Sequence, residues 1–497
     1  MLAIPLAGAL TAALVTQDQV ALRAAPRDSA PRQAELFRGD WLEVRGERLG
    51  FVQVWDHRHE RPGYVRPEKV RTYSLDEATA PALHAVVEFV RDTPGAESLG
   101  IGAAALFLRA APPTAVGTDT WDALGSMADR LARRASADYH RRAASSESSA
   151  DYHRRAASSE RSMRRGQPGD TLAGHLAVAE SYGIKLVPLE TEEGTRLCYD
   201  GDAFRHVLAL GGRPEERARA ALALTRPECM SPGRSPEGQQ LADEWRRKVV
   251  ASVDAAKLSS WVAGRVRMRL AEIEATLAHA YARRGEPARA REAEEHALRQ
   301  LVLVSRAELA EEDAPLYERT ALRVAASRWA AEPKQAPRAG LHLTTATKQP
   351  GETCITVVDP SRPKEPPAER CTYGIVWTSS THVAPGGQAL AVAVQPLPGW
   401  LELWLFRRGA AGWEVEILFP AVSDPNLGYV ELAGWSPDGT RLLVAREAVV
   451  EGSLRKSFEV LRVGTLAVEI QARSLDRFAT FKKWHSAAWK GRTLALR

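Results

Sequence analysis

The side chains with the widest chemical reach in this sequence are four cysteines: Cys198, Cys229, Cys354 and Cys371. A thiol acts as a nucleophile when it is free and beside a base, as a metal ligand, or as half of a disulfide. None of the four stands in a CxxC pair, so neither a zinc ribbon nor a thioredoxin-type centre is indicated, and no metal site is expected. Cys198 or Cys229 would need a free thiol and a base, for which His206 is the candidate. The cysteines fall as two pairs in two regions of different composition. That even count fits two disulfides, Cys198 with Cys229 and Cys354 with Cys371, in an oxidising compartment. Four buried free thiols are the alternative.

Other reactive groups are poorly grouped. His57 and His59 lie near Asp56 and Glu60 in a hairpin-like loop, where histidines are expected to be solvated. Asp438 sits in the turn-forming SPDG, where a carboxylate caps a backbone amide. The sequence has no HExxH, GxSxG or GxxxxGK[ST], no strand-linked GxGxxG and no EF-hand loop. Gly100-Ile101-Gly102 lacks the rest of a dinucleotide loop. No catalytic residue and no cofactor are therefore expected. The enzymatic alternative is a cell-wall or glycan hydrolase whose acid/base site, in the helical region, is assembled from distant carboxylates.

Composition sets the frame for these groups. The chain has 497 residues, 44% hydrophobic and 26% charged, which are ordinary globular values and predict two to four domains. The net charge is +5. Residues 129–165 hold ten Arg and five acids, so this one segment carries that excess. A single basic stretch is a weak phosphate-tracking surface, and no nucleic-acid partner is expected. Within it, SADYHRRAASSES and SADYHRRAASSER repeat directly. A shift of 13 residues turns a helix by about 220°, so the copies present different faces. Replication slippage explains them better than a repeated binding surface. A metal pair at His140 and His153 lacks anything to bring the two together. This duplicated stretch, 136–162, is expected to be the most mobile part of the chain.

The first 16 residues read as a signal-peptide-like segment. Ile4 to Val15 is an apolar run too short to span a bilayer, with Thr11 and Ala13 as small residues before a cleavage point. It lacks a basic leader, and a buried first strand is the other reading. Export to the periplasm is expected, with no transmembrane segment after leader removal. A cytoplasmic scaffold is the alternative.

From 18 to 74 the pattern alternates with period two, at Val20, Leu22, Leu36, Leu42, Val44, Val52 and Val54, and turns fall at Gly39-Asp40, Gly46-Glu47 and Pro62-Gly63. The blocks LRAAP, LFRGDWLEV, FVQV and GYV, in that order and spacing, resemble a bacterial SH3 domain. The resemblance implies a small barrel and a peptide, protein or cell-wall ligand. Trp41, Trp55 and Tyr64 are the ligand candidates in it, because aromatics offer large contact area at low entropy cost. The other reading puts at least two of them in the core.

Residues 75–333 show helical periodicity, with one short strand pair at Lys185–Glu190 and Thr195–Tyr199. Within 270–300, LAHAYARRGEPARAREAEEHAL resembles one tetratricopeptide repeat. Leu277, Ala278, Tyr281, Gly285, Ala290 and Ala297 stand at that family's spacing, but Glu294 stands where a large aromatic is usual. From 339 to 497 strand-like runs take over. Gly387, Gly439 and Gly491 recur every 52 residues, and WSPDG resembles the TolB-type propeller repeat. About three blades are expected, in a small or incomplete propeller. Trp377, Trp404, Trp413 and Trp435 are expected to pack between sheets and Trp400 to lie in an exposed loop. The fold class is thus multidomain: a small all-β SH3-like barrel, an all-α helical-hairpin domain and an all-β propeller-like domain. The function this implies is a non-catalytic binding or assembly scaffold of the bacterial envelope.

Overall fold

The computed structural model describes residues 10–145, 168–191, 194–231, 233–332, 340–410, 412–422, 426–475, 478–486 and 489. Most of the duplicated segment, including His153, and the third copy of the 52-residue repeat around Gly491 lie outside the described residues. The chain divides into two compact units, Met1–Gly233 and Arg234–Arg497. The architecture is multidomain, with a strand-rich start, a helical middle and a strand-rich end. The helical stretch is shared between the two units instead of forming a body of its own.

The first unit opens with seven strands: β1 Thr11–Val15, β2 Val20–Arg23, β3 Arg32–Leu36, β4 Trp41–Arg48, β5 Phe51–Asp56, β6 Arg61–Val65 and β7 Val70–Ser74. They form one antiparallel sheet in the order β3-β2-β6-β5-β4-β1-β7. The alternation read from the sequence sets its faces. Ala13, Leu22, Leu36, Leu42, Val52, Val54 and Val65 gather on one face into a single apolar cluster. Their neighbours in the chain point the other way, as the two-residue period of a strand requires. On that second face, Ala12 and Leu14 of β1 join the helical core.

β1 corrects the expected start of this region. Part of the apolar run read as a leader is a strand, paired with both β4 and β7. Ala12, Ala13, Leu14 and Val15 are all buried. A cut after Ala13 would remove three of its five residues. Full burial of Leu14 and Val15 alone contributes roughly 3–6 kcal/mol.

Among the described residues six helices follow in this unit: α1 Ala80–Arg91, α2 Glu97–Ala110, α3 Thr118–Ser145, α4 Pro168–Ser181, α5 Asp202–Ala209 and α6 Pro214–Leu224. Leu83 and Val87 of α1, Ile101 and Phe107 of α2 and Met127 and Leu131 of α3 supply the apolar stripes that meet at their centre. The short pair β8 Leu186–Thr191 and β9 Gly194–Tyr199 lies within a residue of the expected limits. The disulfide Cys198–Cys229 ties β9 to the 3-10 turn Pro227–Cys229. The glycines of α2 serve packing. A Cβ on Gly102 would sit 2.2 Å from the Gly39 carbonyl oxygen, and one on Gly39 would sit 2.0 Å from the Ser98 carbonyl oxygen. Gly39 also has φ +96°, where a side chain is strained.

The second unit begins with α7 Pro236–Ala251, α8 Ser260–Arg283, α9 Pro287–Val302 and α10 Ala314–Ser327. Helices α8 and α9 are a hairpin turned at Gly285, whose φ is +73°. Tyr281, Ala278, Ala290 and Ala297 are buried in it. A sheet of three strands follows, β10 His342–Ala346, β11 Thr353–Val358 and β12 Glu369–Thr372. The disulfide Cys354–Cys371 lies across β11 and β12.

The remaining strands form one eight-stranded sheet: β13 Ile375–Val383, β14 Ala389–Leu397, β15 Trp400–Gly409, β16 Gly412–Leu418, β17 Gly428–Trp435, β18 Arg441–Val450, β19 Ser453–Arg462 and β20 Val468–Ala472. The sheet is open. Two antiparallel meanders, β13 to β16 and β17 to β20, correspond to two of the 52-residue units. They are joined by a short parallel pairing of the start of β15, at Trp400 and Leu401, with β17. Their repeat turns meet, since a Cβ on Gly439 would sit 2.0 Å from the Pro385 carbonyl oxygen. Trp404 and Trp413 are core residues, and Trp377 and Trp435 pack half-buried against core clusters. Trp400 corrects the expected exposed loop. It begins β15 opposite Leu397 and is buried. A short helix, α11 Ala479–Trp484, follows, and its Phe481 is buried.

The Gly39–Ser98 approach yields a prediction. Gly39→Ala must displace the backbone of α2, so urea denaturation of the full chain is expected to show a loss of about 1–3 kcal/mol or more in the N-terminal unit. An unchanged midpoint would show that the loop and helix are not in register as described.

Candidate functional site

The three aromatic candidates stand on neighbouring strands, and register settles where they point. Trp55 in β5 is opposite Glu43 in β4 and Pro62 in β6. Trp41 is two residues from Glu43, and Tyr64 is two residues from Pro62. Opposed residues of an antiparallel pair share a face, as do residues two apart along a strand. Trp41, Trp55 and Tyr64 therefore form a diagonal stripe across β4, β5 and β6, on the face opposite the apolar cluster of the sheet. All three are half-buried. Trp41, the end nearest the helices, packs against their core.

Polar groups decorate the stripe. The His57 ring stacks on Trp41 with centroids 5.0 Å apart, and His57 Nε2 lies 3.0 Å from Glu43 Oε2. The Arg109 guanidinium lies 4.8 Å from the Trp41 ring centroid. His57 is exposed in its turn, as expected, but is also engaged, and His59 is half-buried with its Nδ1 2.6 Å from Asp56 Oδ2. Burial raises the pKa of Asp56, but the hydrogen bond and charge of His59 outweigh it and hold the carboxyl below its usual range. An acid, a cation and aromatic faces side by side can grip a ligand through stacking and hydrogen bonds.

A partly buried polar chain ties the β1–β2 loop to the helices. Asp18 Oδ1 lies 2.8 Å from His175 Nε2, and Arg134 Nη2 lies 2.9 Å from His175 Nδ1. A guanidinium can only donate, so Nδ1 accepts and Nε2 carries the proton that it donates to Asp18. Burial lowers the pKa of His175 against the pull of Asp18, in keeping with a neutral ring. Arg134 also pairs with Glu97, which accepts from Arg130 Nε at 2.8 Å. With both ring nitrogens occupied, His175 serves as a strut and not as a general base.

The acids that an acid/base mechanism would recruit are held by arginines. Asp40 accepts from the Phe37 amide and from Arg58 Nη2, and burial pushes its pKa up to about 6. Asp122 is likewise raised to about 6 by burial and is paired with Arg219. Cys198 and Cys229 are bonded to each other, which removes the nucleophile option, and His206 stacks on Trp121 instead. Asp438 caps its turn as expected. Its hydrogen bond from Ser436 and the Thr440 amide hold its pKa at about 2. His140 packs edge-on to Tyr139.

The second unit holds a charge cluster that residue spacing alone did not reveal. Glu294 of α9 is fully buried, and neither carboxylate oxygen has a hydrogen-bond partner among the described residues. Burial raises its pKa well above the usual range, opposed by Arg328. Arg328 Nη2 lies 3.1 Å from Glu431 Oε1, and Glu431 Oε2 accepts from Trp489 Nε1 at 3.0 Å. The signal was present, for Glu294 is the departure from the tetratricopeptide pattern. Beside the cluster, Trp329, Ser380, His382 and Glu431 line a cleft with room for about one water. Among the described residues no helix is long and apolar enough to cross a membrane. Comparison with known proteins finds no matching family model, curated protein or solved structure.

Asp40 generates a pH prediction. Its folded pKa, about 6, exceeds the ordinary 3.8, so the folded chain holds the extra proton. The associated stability is complete below pH 4 and is lost as pH rises through 6, an effect on the order of 2–3 kcal/mol. Asp40→Asn is expected to flatten the fall in urea stability between pH 4 and 6.5. Parallel curves for the two proteins would refute the assignment.

Proposed function

We propose that this chain is an exported, non-catalytic binding protein, with its ligand on the stripe of Trp41, Trp55 and Tyr64. The observation that carries this reading is the placement of three half-buried aromatics, with Glu43 and His57, on one face of adjacent strands. The sheet's own apolar cluster lies on the other face, and Trp55 and Tyr64 are not among the residues packed on the helical core. The likeness of this region to bacterial SH3 domains makes a cell-wall peptide, or another peptide or protein, the ligand class. The two disulfides support export, because such bonds persist in oxidising compartments. In this reading the α8–α9 hairpin is tetratricopeptide-like and the two strand meanders are blades of a propeller-like domain. Both are modules used for assembly. The hydrolase alternative draws less support, since Asp40 and Asp122 are each engaged by an arginine.

Co-sedimentation of the purified full chain with cell-wall sacculi tests the proposal. Trp55→Ala and Tyr64→Ala are each expected to weaken binding about tenfold, the scale of an aromatic anchor. Unaltered thermal melting would show that the fold survives. Full retention of binding in both variants, or solubilisation of the sacculi by the wild-type chain, would overturn it.

A further inference from the structure

The hairpin that carries Cys354 and Cys371 holds a third group with metal-ligand chemistry. The two cysteines are direct partners across β11 and β12, and β12 is an edge strand of its sheet. Cys354 is buried and Cys371 half-buried. Glu352, one residue before β11, is half-buried as well. Its Oε2 lies 3.8 Å from Cys354 Sγ, and this oxygen and both sulfurs fall within 4.8 Å of one another. Among the described residues this is the one trio of acidic, cysteine or histidine groups so disposed.

Tetrahedral zinc takes sulfur at about 2.3 Å and carboxylate oxygen at about 2.0–2.2 Å, which places neighbouring ligand atoms roughly 3.5–3.8 Å apart. The Glu352–Cys354 separation already has that value. We propose that Glu352, Cys354 and Cys371 form a site for a thiophilic divalent cation of the zinc class, open only when the disulfide is reduced. Three protein ligands leave the fourth position to water.

The redox step balances with a dithiol as reductant. One reductant thiolate attacks the Sγ of Cys371, the less buried residue of the pair, and the Cys354 thiolate leaves. The second reductant thiolate attacks its own partner sulfur, frees the Cys371 thiolate and departs as a cyclic disulfide. Two electrons and two protons have then passed to the cysteines. Binding of the cation replaces those two protons. Disulfide and metal exclude each other, so the cation occupies the hairpin of a reduced chain and leaves on oxidation. This inference does not depend on the ligand face of the first unit.

The test uses the full chain with Cys198→Ser and Cys229→Ser, so that one cysteine pair remains. After reduction and removal of the reductant it is titrated with Cd2+, and the thiolate-to-cadmium charge-transfer absorbance is read. One Cd2+ per chain is expected when reduced and none when oxidised. Glu352→Gln is expected to weaken binding about tenfold or more. If the double serine background fails to fold, the reduced wild-type chain is compared with Cys354→Ser/Cys371→Ser, and a difference of one Cd2+ per chain is expected. The proposal falls if the reduced chain shows no band, if the oxidised chain shows an equal one, if Glu352→Gln binds as tightly as its parent, or if that comparison shows no difference.

Discussion

A sheet whose two faces are covered in different ways is the constraint that organises the described part of the N-terminal unit. One face closes on its own cluster of Leu, Val and Ala. The other is met by helices along β1, β4 and β7, through Ala12, Leu14, Trp41 and Tyr73. The same face continues onto β5 and β6, where Trp55 and Tyr64 stay half-exposed. Among the described residues, the aromatic stripe is thus the continuation of a packing surface beyond its helical cover. β1 is central to this, because it lies between β4 and β7 and feeds both faces: Ala13 and Val15 to one, Ala12 and Leu14 to the other.

Arginine answers the second problem, that of acids taken out of water. Glu97, Asp40, Asp122 and Asp129 in the first unit each face an arginine, as do Asp243, Glu431 and Glu459 in the second. An unpaired buried charge is costly, and a planar guanidinium with five donors compensates several acceptors at once. Some of the chain's arginine is therefore interior, at Arg226, Arg246 and Arg328. Glu294 shows the limit of the device, because neither of its oxygens is hydrogen-bonded among the described residues and burial raises its pKa well above the usual range against the charge of Arg328.

Much of this was legible in the residues. Alternation located the N-terminal strands, and the two cysteine pairs and the strand pair at 186–199 match the chain. The repeat turns at Pro385 and Pro437 do precede strands, β14 and β18. What escaped has a physical reason in each case. An apolar run such as TAALV looks the same in a leader and in a strand buried on both faces. Helical periodicity shows that a stripe is buried but not against what, so the division of the helices between two units was hidden. The β15–β17 pairing is parallel and made between repeats, and no local pattern encodes it. Of the stripe, the residue types were visible, whereas the partnership of His57 with Trp41 and Glu43 needed the register of β4 with β5.

The ligand face is tested most directly by hydrogen–deuterium exchange on the full chain with and without soluble cell-wall fragments. Protection concentrated in residues 51–65, on β5 and β6, is the predicted result. Protection confined to the C-terminal strands, or exchange unaltered anywhere while the fragments are bound, would contradict the account.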